Sequence, residues 1–164
     1  MNFNQVRTVL ETLTQSLPAL FSNIEIQYYF FDNSLPIGDW SRPESMGMLV
    51  TGDGIGCKSG VYFFASPEGE IIYIGKATKS NLHHRVWDHC KTPMIMHNGK
   101  RTFPRNGFSC ARYSSQANYI LSGDARLGVV TVSDPELVSL MEVFLHTMYI
   151  KEHNVLPALN KQIG

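Results

Sequence analysis

The chain has 164 residues, the length of one domain with room for an accessory segment, and 43% of them are apolar, which excludes a disordered chain. No apolar run reaches the roughly eighteen residues of a membrane span, and the N-terminus lacks the basic start and apolar block of a signal peptide. The net charge of zero argues against a uniformly basic nucleic-acid binder, and Cys57, Cys90 and Cys110, an odd set without a C-x-x-C pair, point to free thiols in a reducing, cytoplasmic setting.

Residues 3–20 carry Val6, Val9, Leu10, Leu13 and Leu17 at helical spacing, so an amphipathic helix is expected there, ending near Pro18. "IEIQYYFF" (24–31) reads as a strand, residues 32–47 as a loop, and "MLV" (48–50) as a short strand before the "TGDGIG" turn. "GVYFFAS" (60–66) and "EIIYIGKA" (70–77) form a hairpin across "PEG", where proline fixes one φ angle and glycine permits a positive one. "KSNLHHRVWDHC" follows as a helix capped by Ser80 or Asn81, with Leu82, Val86 and Cys90 on its core-facing line.

Residues 91–125 show little periodicity and read as a long loop, with a short helix near "SQANYIL". "LGVVTVS" (127–133) is a strand. Asp134 then offers an N-cap and Pro135 a first helical residue for a helix over 135–153, with Leu137, Met141, Phe144, Leu145 and Met148 as its buried stripe. The order α-β, β-β-α, loop, β-α implies an α/β or α+β fold: a small, partly antiparallel sheet flanked by helices. Residues 1–56 are an N-terminal extension and 57–164 the principal unit.

Charge divides along the same line. Residues 1–56 hold Arg7 and Arg42 against six acids, a balance of −4. Residues 76–112 hold Lys76, Lys79, Arg85, Lys91, Lys100, Arg101, Arg105 and Arg112 against Asp88 alone, a balance of +7, and four of the six histidines lie there. Such a patch suits a polyanion even when the whole chain is neutral, although a solvated loop would read the same way.

Seven residues stand out along 57–164: Tyr62 and Tyr73 in the hairpin, Lys76 after it, Arg85 and His89 one turn apart on the next helix, Glu142 in the last helix, and Asn160 at the end of "PALN". Alternation places Val61, Phe63, Ile72 and Ile74 on the core side and both tyrosines on the opposite face. The bland alternative is that the tyrosines are ordinary strand aromatics and that Arg85 and His89 are a solvated helix face.

Taken in order, "GVY", "YIGKA", "LHHRVWDH", an acidic helix and "PALN" resemble the GIY-YIG nuclease domain, over roughly residues 57–162. The resemblance implies a β-β-α-β-α core and a metal-dependent endonuclease that cuts DNA. It assigns Tyr62 and Tyr73 to the motif tyrosines, Arg85 to the scissile phosphate, His89 to the histidine of some members, and Asn160 to hydrogen bonds that orient the site. Glu142 is the choice for the ligand of one Mg2+ or Mn2+ ion, with Glu152 and Glu136 as fallbacks, because Glu142 lies at the flank of the apolar stripe.

The chemistry suits those residue types. A tyrosine with a pKa of about 10 is a poor base unless a cation lowers it, a role open to Lys76. Tyr62 is the favoured base, with Tyr73 and Lys76 in support. Arg85 can meet two phosphate oxygens through its planar fork. Lys79, Lys91, Lys100, Arg101, Arg105 and Arg112 are expected on the nucleic-acid backbone. The histidines and cysteines fit no zinc-ligand spacing. A non-cleaving binding or interaction module, and a nuclease acting on RNA, remain as alternatives. Residues 1–56 are expected to cap the sheet edge, to form a homodimer contact or to bind a protein partner.

Overall fold

The computed structural model describes residues 1–32, 34–38, 54–91, 93–108 and 115–163. Helix α1 (Phe3–Ser16) opens the chain and α2 (Pro18–Phe21) follows it. The single helix expected over 3–20 is thus broken at Leu17, because Pro18 has no N–H to continue it and starts a new turn instead. A capping box fixes the start: Asn2 accepts from the Gln5 amide, and the Gln5 side chain accepts from the Asn2 amide.

The sheet contains β1 (Ile26–Tyr29), β2 (Leu35–Pro36), β3 (Gly60–Ala65), β4 (Ile71–Ala77) and β7 (Arg126–Val132). Its order is β1-β7-β3-β4, with β2 beside β1 on β7, and every pairing is antiparallel. The fold is therefore mixed α+β. β2 lies in a stretch expected to be loop, and the expected strand at 48–50 falls outside the described residues.

Helices cover both sheet faces. One core joins Phe3, Val6, Leu10 and Leu13 of α1 to Val61, Phe63, Ile74 and Val130 of the sheet, and to Val138, Met141 and Leu145 of α5 (Leu137–His153). The second joins Tyr62, Phe64, Leu127 and Val129 to Leu82, Val86 and Cys90 of α3 (Leu82–Cys90), to Ala117 and Ile120 of α4 (Ser115–Ser122), and to Phe103. β3 and β7, sandwiched between the layers, are buried on both sides and so read as near-continuous apolar runs. The N-terminal segment packs on the core: α1 lies against α5, and the Phe3 ring lies so close to Gly128 on β7 that a Cβ there would strike it.

Two further corrections matter for the site. Ile72 does not share the face of Ile74. The register slips between Phe64 and Ala65, so Ile71 pairs with Ala65 and Tyr73 with Phe64, leaving Ile72 as the bulged residue on the same face as Tyr73. The stretch 91–125 also holds an unexpected ribbon: β5 (Met94–Ile95) and β6 (Arg101–Thr102) pair antiparallel, while the short helix expected near "SQANYIL" is α4.

Asn81 takes the N-cap position of α3, yet its side chain makes no capping bond. α5 begins at Leu137 rather than 135, although Asp134 still accepts from the Glu136 amide. Its buried line is Val138, Met141, Glu142, Leu145, His146 and Tyr149, rotated from the expected stripe so that Glu142 and His146 turn inward.

Candidate active site

β4 is an edge strand, and its outer side is where the sequence-predicted residues meet. A cleft of about 350 Å3 is lined by Tyr73, Gly75, Lys76, Arg85, His89, Glu142 and Asn160, with Ile74, Gly107, Phe108, Leu159, Lys161 and Gln162 completing its walls. A second hollow of about 240 Å3 lies apart from it, around Gln27, Lys58 and Ser133, and contains none of these residues.

The first-core side of β4 presents Lys76 toward α5. Lys76 Nζ lies 2.8 Å from Glu142 Oε2, and Glu142 is only 4% exposed. The contact is an ion pair without hydrogen-bond alignment, since Oε2 has no donor of suitable geometry. One turn on, His146 is fully buried with both ring nitrogens unpartnered. Burial lowers its pKa, opposed by Glu142 and assisted by Lys76. Glu136 and Glu152 are exposed and line no part of the cleft, so Glu142 is the carboxylate that shares it with Arg85 and Tyr73.

The other face of β4 carries an aromatic cluster. His89 stacks on Phe108 at 4.8 Å and 4° and meets Tyr73 edge-on at 4.7 Å. Tyr62 Oη lies 2.9 Å from His89 Nε2 and 3.4 Å from the Arg85 carbonyl. Burial, then the Arg85 guanidinium, pushes the His89 pKa down to about 4, so the ring is neutral at neutral pH.

Gly75 explains one motif glycine. A Cβ there would stand 2.5 Å from Tyr62 Cζ and 2.7 Å from Tyr73 Cε1, so only glycine lets both rings pass the strand. Gly60 of the other triplet admits the Val130 carbonyl in the same way.

Both tyrosines do share a face, but Tyr62 is not available as a general base. It is fully buried, absent from the cleft wall, and held by burial, and by Tyr73 beside it, far above the ordinary phenol pKa. Alternation predicts the face; it does not show that α3 covers it. Tyr73 reaches the cleft, and its pKa is also raised by burial, with the Tyr62 hydroxyl and then Arg85 acting to lower it.

Arg85 sits at the rim. Its Nε donates to the Lys76 carbonyl at 3.3 Å, and among the described residues its two terminal nitrogens make no hydrogen bond. Asn160 caps the strand edge with two bonds to one residue: Oδ1 accepts from the Ile74 amide at 2.9 Å, and Nδ2 donates to the Ile74 carbonyl at 2.8 Å. Asn154, left-handed at φ 59°, ends α5 and turns the chain back to make this possible.

The expected backbone-contacting cations are scattered. Lys79, Lys91 and Arg105 are exposed, and Arg101 is half-buried. Lys100 is already paired with Asp124 at 2.6 Å, which reduces its charge for a phosphate. Arg112 lies outside the described residues. Phe108 and Gly107 were not foreseen: they stand in a stretch without periodicity, and only the fold brings them to His89.

Among the described residues, no three of His, Cys, Asp and Glu gather as a metal cluster. Among the described residues lining the cleft, Glu142 is the carboxylate that would suit a hard divalent ion, and its present partner is Lys76. One carboxylate leaves most of a magnesium shell to water and substrate phosphate. No helix among the described residues is long and apolar enough to cross a membrane. Comparison of the chain with models of protein families, with curated proteins and with solved structures found no match in any of the three.

Proposed function

We propose that this chain is a metal-dependent endonuclease of the GIY-YIG type, hydrolysing phosphodiester bonds of DNA at the open edge of β4. One observation carries the reading. Tyr73, Lys76, Arg85, His89, Glu142 and Asn160, spread over more than half of the chain, line one cleft. With the β5–β6 ribbon and α4 inserted between α3 and β7, the order β3-β4-α3-β7-α5 also agrees with the β-β-α-β-α core that the resemblance implies.

Arg85, tethered through Nε, turns its remaining N–H donors to the scissile phosphate and meets the charge that develops on it. Lys76 supplies a second cation when it leaves Glu142. Tyr73, the tyrosine that lines the cleft, takes the base role first given to Tyr62: it receives the proton of the attacking water as the bond from phosphorus to the 3′-oxygen breaks. Its raised pKa means that Arg85, and cationic charge beside it, must favour the phenolate for that step. His89, neutral and stacked, positions Tyr62 and the Tyr73 ring. Glu142 would hold the single Mg2+ or Mn2+ ion, which when bound supplies Lewis acidity at the leaving oxygen.

Purified protein should nick supercoiled plasmid in magnesium and not in chelator. Arg85→Ala should lower the rate by roughly 10²–10³-fold, as the loss of a transition-state donor does elsewhere. Equal rates for the two proteins, or no nicking by the wild type, would leave the second reading: a non-cleaving nucleic-acid-binding module. That reading draws on the Lys76–Glu142 pair, which keeps the carboxylate occupied. Competition with RNA of the same sequence tests the choice of DNA.

A further inference from the structure

The β5–β6 ribbon leaves β5 exposed, whereas its β6 is half-buried, touches α4 and sets the Arg101 carbonyl against Gly38 and Gly123. Its register is well formed: Met94 pairs with Thr102 and Ile95 with Arg101, and the Met96 amide bonds the Lys100 carbonyl at 2.8 Å. Asn98 and Gly99 make the turn, with Gly99 at φ 80° and the Lys100 amide bonded to Asn98 Oδ1. Yet Met94, Ile95 and Met96 are 56%, 67% and 51% exposed. Successive strand residues point to opposite faces, so both sides of the tip show apolar surface to solvent. An isolated two-stranded ribbon is marginal in water, and three consecutive exposed large apolar residues mark a contact surface.

The root of the ribbon is fixed, and it is fixed at the cleft. The chain enters from α3 just after His89 and leaves through Phe103, which is fully buried and donates its amide to the Leu121 carbonyl at 2.7 Å. The Gly107 amide then bonds the His89 carbonyl at 2.6 Å, closing the two ends of the excursion beside two cleft-lining residues. The ribbon is thus a finger standing on the rim of the cleft.

Its surroundings select the occupant. From His89 to Gly123 the sequence contains no carboxylate, and Lys91, Arg101 and Arg105 flank the finger, while Lys100 is held by Asp124 just beyond that stretch. An apolar tip in a basic collar complements an anionic backbone with apolar bases inside it. Methionine and isoleucine are among the side chains that enter a base step and kink a duplex.

Resting on the nuclease reading of the neighbouring cleft, we infer that Met94, Ile95 and Met96 form a wedge that enters the base stack of a bound DNA duplex. The wedge unstacks one step, and the basic collar and the cleft hold the adjoining backbone. The preferred substrate is then a duplex already weakened by a mismatch, a bulge or a branch, where unstacking costs least.

The test uses full-length protein carrying Glu142→Gln, so that no strand is cut. The probes are short duplexes with 2-aminopurine placed in turn at each step, either paired or opposite a mismatch. With the finger intact, binding should raise 2-aminopurine fluorescence several-fold at one step, and the mismatched duplex should bind about tenfold more tightly than the paired one. Combined Met94→Ser, Ile95→Ser and Met96→Ser, all at exposed positions, should abolish both effects and leave the salt dependence of binding unchanged, because no charge is lost. Duplex bound without a fluorescence rise, or an equal rise in the triple variant, overturns the wedge and leaves the nuclease reading intact. A rise in the Glu142→Gln protein, together with no nicking by the wild type, overturns the nuclease reading and leaves the wedge. A finger that meets a protein instead would show as no binding preference between the two duplexes, which also overturns the proposal.

Discussion

At the scale of single residues, the site depends on a carboxylate that already has a partner. Glu142 is almost buried, and its nearest cation is Lys76. On the proposed reading a divalent ion would compete with an ammonium, and the competition would ease once a phosphate drew Lys76 away. Metal and substrate should bind more tightly together than apart. In nucleic-acid-free protein, Lys76→Met should tighten Mn2+ binding about tenfold, equivalent to about 1.4 kcal/mol. Titration followed by electron paramagnetic resonance reads this directly, and weaker binding in the variant would refute it. The types and places of Tyr73, Lys76, Arg85 and Asn160 were legible in the sequence. The burial of Tyr62 was not, because strand alternation names a face without saying what covers it. Glu142 was ambiguous for a related reason: its position depends on how far α5 rotates against β4, which tertiary packing decides.

At the scale of elements, β4 owes its finish to the end of the chain. The edge of a sheet offers unpaired N–H and C=O groups to any other strand. Here Leu159 donates its amide to the Ile72 carbonyl at 2.9 Å, and the Asn160 side chain satisfies both backbone groups of Ile74. Asn160→Ala removes two partly buried hydrogen bonds and should cost about 1–2 kcal/mol, read as a lower urea midpoint with an unchanged slope. Asn160→Asp, which keeps the acceptor for the Ile74 amide and loses the donor, should fall between the two. The hairpin, α3 and α5 were readable from period and turn chemistry. α4 was also foreseen, but the ribbon was not, since two-residue strands are too short for any periodicity. The bulge at Ile72 has no local signature at all, being set by how β4 pairs with β3.

At the scale of the molecule, two helical layers share one sheet, and both contribute a histidine that is easier to bury neutral than charged. The His89 pKa is pushed down to about 4 by burial and by Arg85, with Lys91 acting in the same sense and Asp88 against it; that of His146 is lowered chiefly by burial. Below the ordinary histidine pKa of about 6.5 the unfolded chain takes up protons that the folded chain refuses. Stability should hold at neutral pH and fall as pH drops from about 6.5 toward about 4. His89→Gln should flatten that slope in urea titrations repeated across the window, with the remainder belonging to His146. An unchanged slope would mean that His89 titrates normally.

The cleft takes one wall from each layer. Glu142 and its ion pair with Lys76 belong to the α1–α5 side, and Tyr73, His89 and Arg85 to the α3 side. A ligand touching both walls therefore acts as a rivet through the margin of the sheet. It would fasten together two cores that, among the described residues, meet through the strands between them, so that neither layer could loosen alone while the rivet was in place.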